Sequence, residues 1–468
     1  MRPARIVRDS ADPFRIAVFG DFSGGAASGR QGTEDAPITP LTVDRDDLDE
    51  VLRGLGPSVS VSLDEASDPL VLSFDSIWDF QPEELEARLP LFRELRGRIE
   101  HRTPAPSAEP PPPDTTAGPP APAAGGGVLD AVLSATDPND MGPSSPPTGD
   151  LAGLIEEAIA PYLVTPDAHF EARRSAYEVL ATDFLRRILR DPDYRALESL
   201  WRGLHLLTQR LETGPHLKIH LFDVPKSRLR RELRADGVST GSLRHQLLPD
   251  TGAPGANFAV LAGCYTFDAT EDDLALLAGL GELGQMVNAP WVLEGTAELA
   301  NLALGGDPES TNLGSGWKAL RESSDAAYLS MLMPRFRQRL PFSPSAGHDP
   351  PFFVELEGSG RHEDHLWGSP VFLAALVMGQ AFTHHGWQMR PAAPWDVPGL
   401  PLLITKENES PTAHPCAEVS FGDGEARSLI EAGITPLMAV KNQDRIRVPG
   451  VHPIGPAPFP LGGRWLGT

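Results

Sequence analysis

Residues able to do chemistry are sparse in this sequence, and each cluster of them stops short of a working pattern. Gly20-Asp21-Phe22-Ser23-Gly24-Gly25 follows the β-branched run Arg15-Ile16-Ala17-Val18-Phe19, the place where phosphate loops occur. Such loops end in Gly-Lys-Ser/Thr, because the lysine and the hydroxyl hold phosphate and magnesium. That ending is missing, and so is the Gly-x-Gly-x-x-Gly spacing of a dinucleotide fold, which leaves a flexible glycine-rich turn. His362-Glu363-Asp364-His365 sets two histidines at i and i+3, whereas zinc sites on helices use i and i+4 to put both rings on one face. A polar loop ahead of Leu366-Trp367 is the reading. His384-His385 cannot both point at one metal from a regular element and read as helix-end residues. Neither Cys264 nor Cys416 has a histidine or base directly adjacent to it in sequence. Arg335, Arg337 and Arg339 alternate along the chain. They suit either an anion clamp or, better matched to their fork geometry, carboxylates of a packed neighbour, as inter-subunit ion pairs. No catalytic, cofactor-binding or metal-ligating residue is assigned, and a structural or binding role is expected rather than an enzyme. A hydrolase or metal enzyme is the weakest reading.

Composition points the same way. The chain has 468 residues, enough for two or more folded units, and 48 prolines and 45 glycines mark part of it as linker. Acidic residues outnumber basic ones 64 to 40, for a net charge of −24, so a phosphate backbone would be repelled and nucleic acid is excluded as a general partner. Two cysteines rule out a disulfide framework and a multi-cysteine zinc site. No apolar run serves as a signal peptide or approaches the ~20 residues that cross a bilayer, so a cytoplasmic protein without membrane insertion is expected.

The elements that must position these residues divide at residues 102–150, which hold 13 prolines, including Pro110-Pro111-Pro112-Pro113. Such a stretch buries too little apolar surface to offset its ordering entropy and is predicted to be a disordered, flexible linker. Inside it, Val128, Leu129, Val132 and Leu133 recur at helical spacing and predict a short recognition helix over 128–135. Residues 1–101 read as one domain. A strand covers 15–19, and a helix capped by Asp44 carries Leu48, Val51, Leu52 and Leu55 up to Gly56. A strand pair runs through Val59, Val61, Leu63 and Leu70, Leu72, Phe74, and a last helix opens at Pro82 and restarts at Pro90. Residues 151–445 read as a second, larger domain. Its helices are expected over 151–163, 177–209 and 370–384, with a helix opened by the capping box Thr270-Glu271-Asp272-Asp273. Its strands are expected at 218–222, 258–261 and 328–332. Residues 446–468 read as a Pro/Gly-rich tail. The fold class is α/β, in the mixed α+β sense.

Residues 12–25 resemble the opening of the small sheath subunit of type VI secretion systems (TssB, or VipA). Val43 to Leu52, and Phe74 to Leu89 with Trp78-Asp79-Phe80-Gln81-Pro82-Glu83, match that family's next two blocks. The second part resembles the large sheath subunit (TssC, or VipB). Its signature is Tyr194-Arg195-Ala196-Leu197-Glu198-Ser199-Leu200-Trp201-Arg202-Gly203-Leu204, with further blocks at Trp317 to Arg321, Leu332 to Phe336, Leu366-Trp367-Gly368 and Gly433 to Leu437. The resemblance implies a natural fusion of the two subunits, packed as an intramolecular heterodimer. It also implies a bacterial contractile sheath that drives effector injection around an inner tube. Leu197, Glu198, Trp201, Arg202 and Gly203 are expected in the core. Implied partners are other sheath subunits or copies of the chain, with inner-tube and baseplate proteins and a ClpV-like ATPase reading Val128, Leu129, Val132 and Leu133. Relative to the family the sequence stops before the large subunit's usual C-terminal region. That leaves, as the alternative, a sheath-derived accessory or capping protein that binds sheath or baseplate without polymerising.

Overall fold

The computed structural model describes residues 12–25, 38–63, 69–100, 168–234, 242–248, 257–305, 314–343, 355, 362–407, 410–457 and 459–465. The first segment supplies β1 Phe14–Gly20, β2 Leu41–Val43, α1 Leu48–Leu55, and the hairpin strands β3 Ser58–Val61 and β4 Leu70–Ser73. A 3-10 turn, Ile77–Phe80, and the helices α2 Pro82–Arg88 and α3 Pro90–Glu100 complete it. From residue 168 follow α4 Ala168–Arg190, α5 Pro192–Arg210, β5 Leu217–Asp223, α6 Lys226–Arg234, α7 Ser242–Leu247 and β6 Val260–Phe267. Next come α8 Glu271–Val287, β7 Trp291–Gly295, α9 Ala297–Leu304, α10 Gly314–Glu322, β8 Leu329–Met333, β9 Phe336–Arg337, β10 Trp367–Gly368 and α11 Pro370–His385. The remainder is β11 Trp395–Val397, β12 Leu403–Glu407, β13 Ser410–His414, α12 Asp423–Glu431, β14 Ile434–Pro436, β15 Met438–Ala439 and β16 Ile446–Val448.

Seven strands form the central sheet in the order β14-β8-β7-β6-β1-β5-β2. All neighbours are parallel except the edge strand β2, which runs antiparallel to β5. A parallel strand covered on both faces should be largely apolar, and β1 and β7 are, with Arg15 and Glu294 as the exceptions. On one face Ala17 and Phe19 join Phe222, Leu261, Leu277 and Trp291 in the large core beneath α8. On the other, α11 lies across β1, β6, β7 and β8, with Phe14 stacked on Phe382 at 4.8 Å. The mixed α/β class stands, in three layers.

The chain forms two compact units. One takes residues 1–81, 186–348 and 353–468; the other takes 82–185 and 349–352. In the second unit Glu86 accepts hydrogen bonds from the Tyr177 hydroxyl and from Arg96, whose guanidinium lies 5.1 Å over the Tyr177 ring. Burial, reinforced by Glu86, pushes the Tyr177 phenol up to about 12. The division does not follow the expected break at residue 101: residues 1–81 belong with most of the second segment because β1 is an interior strand there.

Four local expectations need correction. The helix expected over 177–209 is two, because Pro192 removes an amide and Asp191 caps the new start, accepting from Asp193 N and Tyr194 N at 3.0 and 2.9 Å. The helix after Asp44 begins at Leu48: Asp44 spends its carboxylate on the amides of Asp46 and Asp47 within a turn. In the expected capping box, Thr270 accepts from Asp273 N as predicted, but Asp273 turns to the amide of Asp268 and to Lys226. Finally, the segment after residue 446 is built into the fold: β16 pairs with β11 and β15, and Val451, Ile454, Leu461 and Trp465 are buried.

Candidate functional site

With no catalytic cluster to build from, the structurally decisive region is the seam where the first segment enters the second. Seven residues of β1 pair in register with β5, from Phe14 with Leu217 to Gly20 with Asp223, and Ile16 to Phe19 pair with β6 on the other side. The glycine-rich turn that follows is packed rather than flexible. Phe22 is fully buried, Ser23 donates its amide to Asp223 Oδ1 at 3.0 Å, and the Phe22 carbonyl accepts from Trp201 Nε1 at 2.9 Å. Gly24 is required there: its φ is +69°, and a Cβ would stand 2.3 Å from the Ser58 carbonyl oxygen.

Helix α5 reads this loop. Tyr194, Leu197, Trp201 and Leu204 fall on one face by helical spacing, and all are buried. Tyr194 donates its hydroxyl to the Phe80 carbonyl at 3.0 Å and meets the stacked pair Phe74–Phe80 edge-on, while Trp201 meets Phe22 at 5.4 Å. On its other side, Gly203 admits Phe372 of α11 so closely that a Cβ would sit 2.1 Å from the ring.

Glu198 and Arg202 anchor a buried ion cluster that sequence reasoning missed. Glu198, fully buried, accepts from Arg202 Nε at 2.6 Å and from Arg339 Nε at 2.8 Å. Arg339 also forks onto Glu355 at 2.7 and 3.2 Å, and Glu355 accepts the Phe342 amide at 2.8 Å. Burial alone would raise the Glu198 carboxyl, but Arg339 and Arg202 hold it below its ordinary value, while burial of Arg339 is outweighed by its two carboxylates, which raise it. Two acids and two guanidiniums leave the cluster neutral, the condition for burying charge.

Arg337 and Arg339 therefore serve this chain, which corrects their assignment to ion pairs between subunits, whereas the Arg335 side chain is 41% exposed. Arg339 and Arg337 are buried, and a buried head group cannot reach a neighbour's surface. Arg337 has only the carbonyls of Pro401 and His414 at 3.3 and 3.5 Å and the Trp367 ring at 5.4 Å among the described residues, and burial lowers it to about 10. Arg335 forks onto Glu418 at 2.8 and 2.6 Å, with His362 on the same carboxylate. His362–Asp364 form a single 3-10 turn, as the loop reading expected, with His365 buried behind it. His384 and His385 close α11. Among the described residues no group of three or more His, Cys, Asp or Glu is arranged to hold a metal. Val128, Leu129, Val132 and Leu133 lie outside the described residues.

Comparison with known proteins assigns the two sides of the seam. The family described as type VI secretion system, VipA, VC_A0107 or Hcp2 matches residues 9–102. The family VipB, described as EvpB/VC_A0108, tail sheath N-terminal domain, matches residues 178–452, more than half of the chain. The chain belongs to the VipB tail sheath family. It carries a VipA-type segment as well, so both sheath families occur in one polypeptide. The type VI secretion system sheath protein TssC1 of Pseudomonas aeruginosa is 27% identical over 305 residues, covering 60% of this chain and 61% of that protein. The chain thus spans less than two thirds of this curated relative's length. Strands β1 and β2 fall in the VipA match and β5 to β8 and β14 in the VipB match, so the central sheet is shared between the two families.

Proposed function

We propose that this chain is a structural subunit of a type VI secretion contractile sheath, acting in the cytoplasm as a pre-paired VipA–VipB building block that assembles around an inner tube. The supporting observation is the interior position of β1. A VipA-type strand flanked by two VipB-type strands cannot leave without unpairing both neighbours, so β1 and the two strands beside it move together. Joining them covalently raises the effective concentration of one for the other to about the millimolar range and enforces one-to-one pairing. Work in such a subunit comes from repacking against neighbours, which needs no bound cofactor. Copies of the chain, inner-tube and baseplate proteins, and a ClpV-like ATPase are the partners this reading names. Electron microscopy of the purified chain, alone and with the inner-tube protein of its source, tests it. Tubular assemblies are expected, and dispersed particles under both conditions would overturn it. Deleting residues 128–135 is expected to leave the fold intact and to abolish ATPase binding in a pull-down; undiminished binding removes that partner.

A further inference from the structure

A cleft opens at the carboxyl ends of β6, β7 and β8, lined among others by Glu294, Glu298, Leu304, Arg335, Glu418 and Phe421. Glu294 is anomalous. It ends the otherwise apolar buried run Trp291-Val292-Leu293 and is 8% exposed. A carboxylate withdrawn from water this far needs a cation or several donors. Among the described residues it has hydroxyls instead, Thr266 Oγ1 at 3.5 Å and Ser369, and burial raises its carboxyl. Arg335, whose field reaches it, gives both donors of its fork to Glu418, which also holds His362. The Arg335–Glu418 charges cancel, Glu298 adds an exposed carboxylate, and a cation entering the cleft would draw Glu294 into its ionised form.

The walls are of another kind. Val419 stands 43% exposed in the cleft, and Leu304 and Phe421 are only partly buried. A cleft that sets apolar side chains beside a buried acid fits a long side chain with an aliphatic stem and a cationic head. Of the chain's 40 basic residues 35 are arginines, so a copy of this chain would present a guanidinium, whose planar fork suits a carboxylate. We propose that this cleft receives an arginine side chain from a second copy of the chain, with Glu294 as its counter-ion and Leu304, Val419 and Phe421 around its stem. The source of the arginine rests on the sheath-subunit reading; the chemistry of the cleft does not.

The test titrates N-acetylarginine methylamide into the full chain by calorimetry, with the uncharged N-acetylcitrulline methylamide as control. Saturable binding of the arginine probe is expected, with about a tenfold or greater loss in affinity for the citrulline probe and in Glu294→Gln. Glutamine keeps the contacts to Thr266 and Ser369, and circular dichroism checks the fold. Val419→Trp, at an exposed position, obstructs the cleft without touching Glu294 and is expected to give the same loss. In sedimentation velocity both variants are expected to weaken self-association about tenfold, while Glu282→Gln on the exposed face of α8 leaves it unchanged. Probe binding that is absent, or equal in wild type and both variants, overturns the site. Probe binding that depends on Glu294 while self-association stays unchanged overturns the second copy as its source, and does so without bearing on whether tubules form.

Discussion

At the residue scale, the ion cluster around Arg339 sets the largest single sensitivities. Removing one partner strands the others in a dry interior, so Glu198→Ala is expected to cost about 3–5 kcal/mol in urea unfolding, although a surface pair would cost under about 1 kcal/mol. Titration adds a second test. Burial, assisted by Arg15 and Lys218, lowers His220 to about 4, and burial with Arg337 lowers His365 to about 4. An unfolded histidine takes up its proton near ~6.5, so between that pH and about 4 the unfolded chain holds more protons than the folded one. Stability from these two groups is therefore full above pH ~6.5 and is lost as pH falls towards about 4. The melting temperature should drop across that window, and His365→Gln should flatten the slope. A melting temperature independent of pH there would contradict the burial of both rings. Glu198, held below its ordinary value, contributes stability that is lost as pH falls through and below the ordinary carboxylate range.

At the element scale, α5 is the clamp: one face holds the loop after β1 and the opposite side lies against α11. Gly203→Ala forces a methyl into the Phe372 ring, and overpacking of this kind costs about 1–3 kcal/mol. The same substitution at Gly97, where nothing lies within 4 Å of the new Cβ, is expected to be neutral or mildly stabilising by helix propensity. Equal melting temperatures for the two variants would refute the close approach of α5 and α11. Trp201→Ala removes both the apolar volume and the donor to the Phe22 carbonyl, and is expected to cost about 3–5 kcal/mol.

At the scale of the whole molecule, β1 makes the two family segments inseparable. A chain starting at residue 151 would leave β5 and β6 with bare facing edges, and exposed edges of apolar strands template aggregation. Expressed alone, residues 151–468 are expected to be insoluble, and co-expression of residues 1–101 as a separate chain is expected to restore a soluble, co-purifying pair. A soluble, monomeric 151–468 would show that β1 is dispensable. The same geometry explains why the compact units cut across the sequence boundaries: contacts follow the sheet, whereas composition follows the chain.

Much of this was legible beforehand. Helical spacing picked out Leu48 and Leu52 on α1, β-branched runs located β1 and β5, and alternation located the β3–β4 hairpin, because periodicity is a local property that each segment carries alone. The ordered motifs identified both sheath families for the same reason. Sequence by itself could not choose the order of strands, since β1 pairs with β5 and β6 roughly two hundred residues away. Nor could it choose partners for charge: Arg335, Arg337 and Arg339 look alike as text, yet one forks onto Glu418, one lies among carbonyls, and one ties Glu198 to Glu355. Glu294 left a faint mark, an acid ending an apolar strand, but whether a cation answers it depends on neighbours from β8 and the segment near residue 418. Pairing of edges and of charges is a question of distance in space, and the chain settles it only by folding.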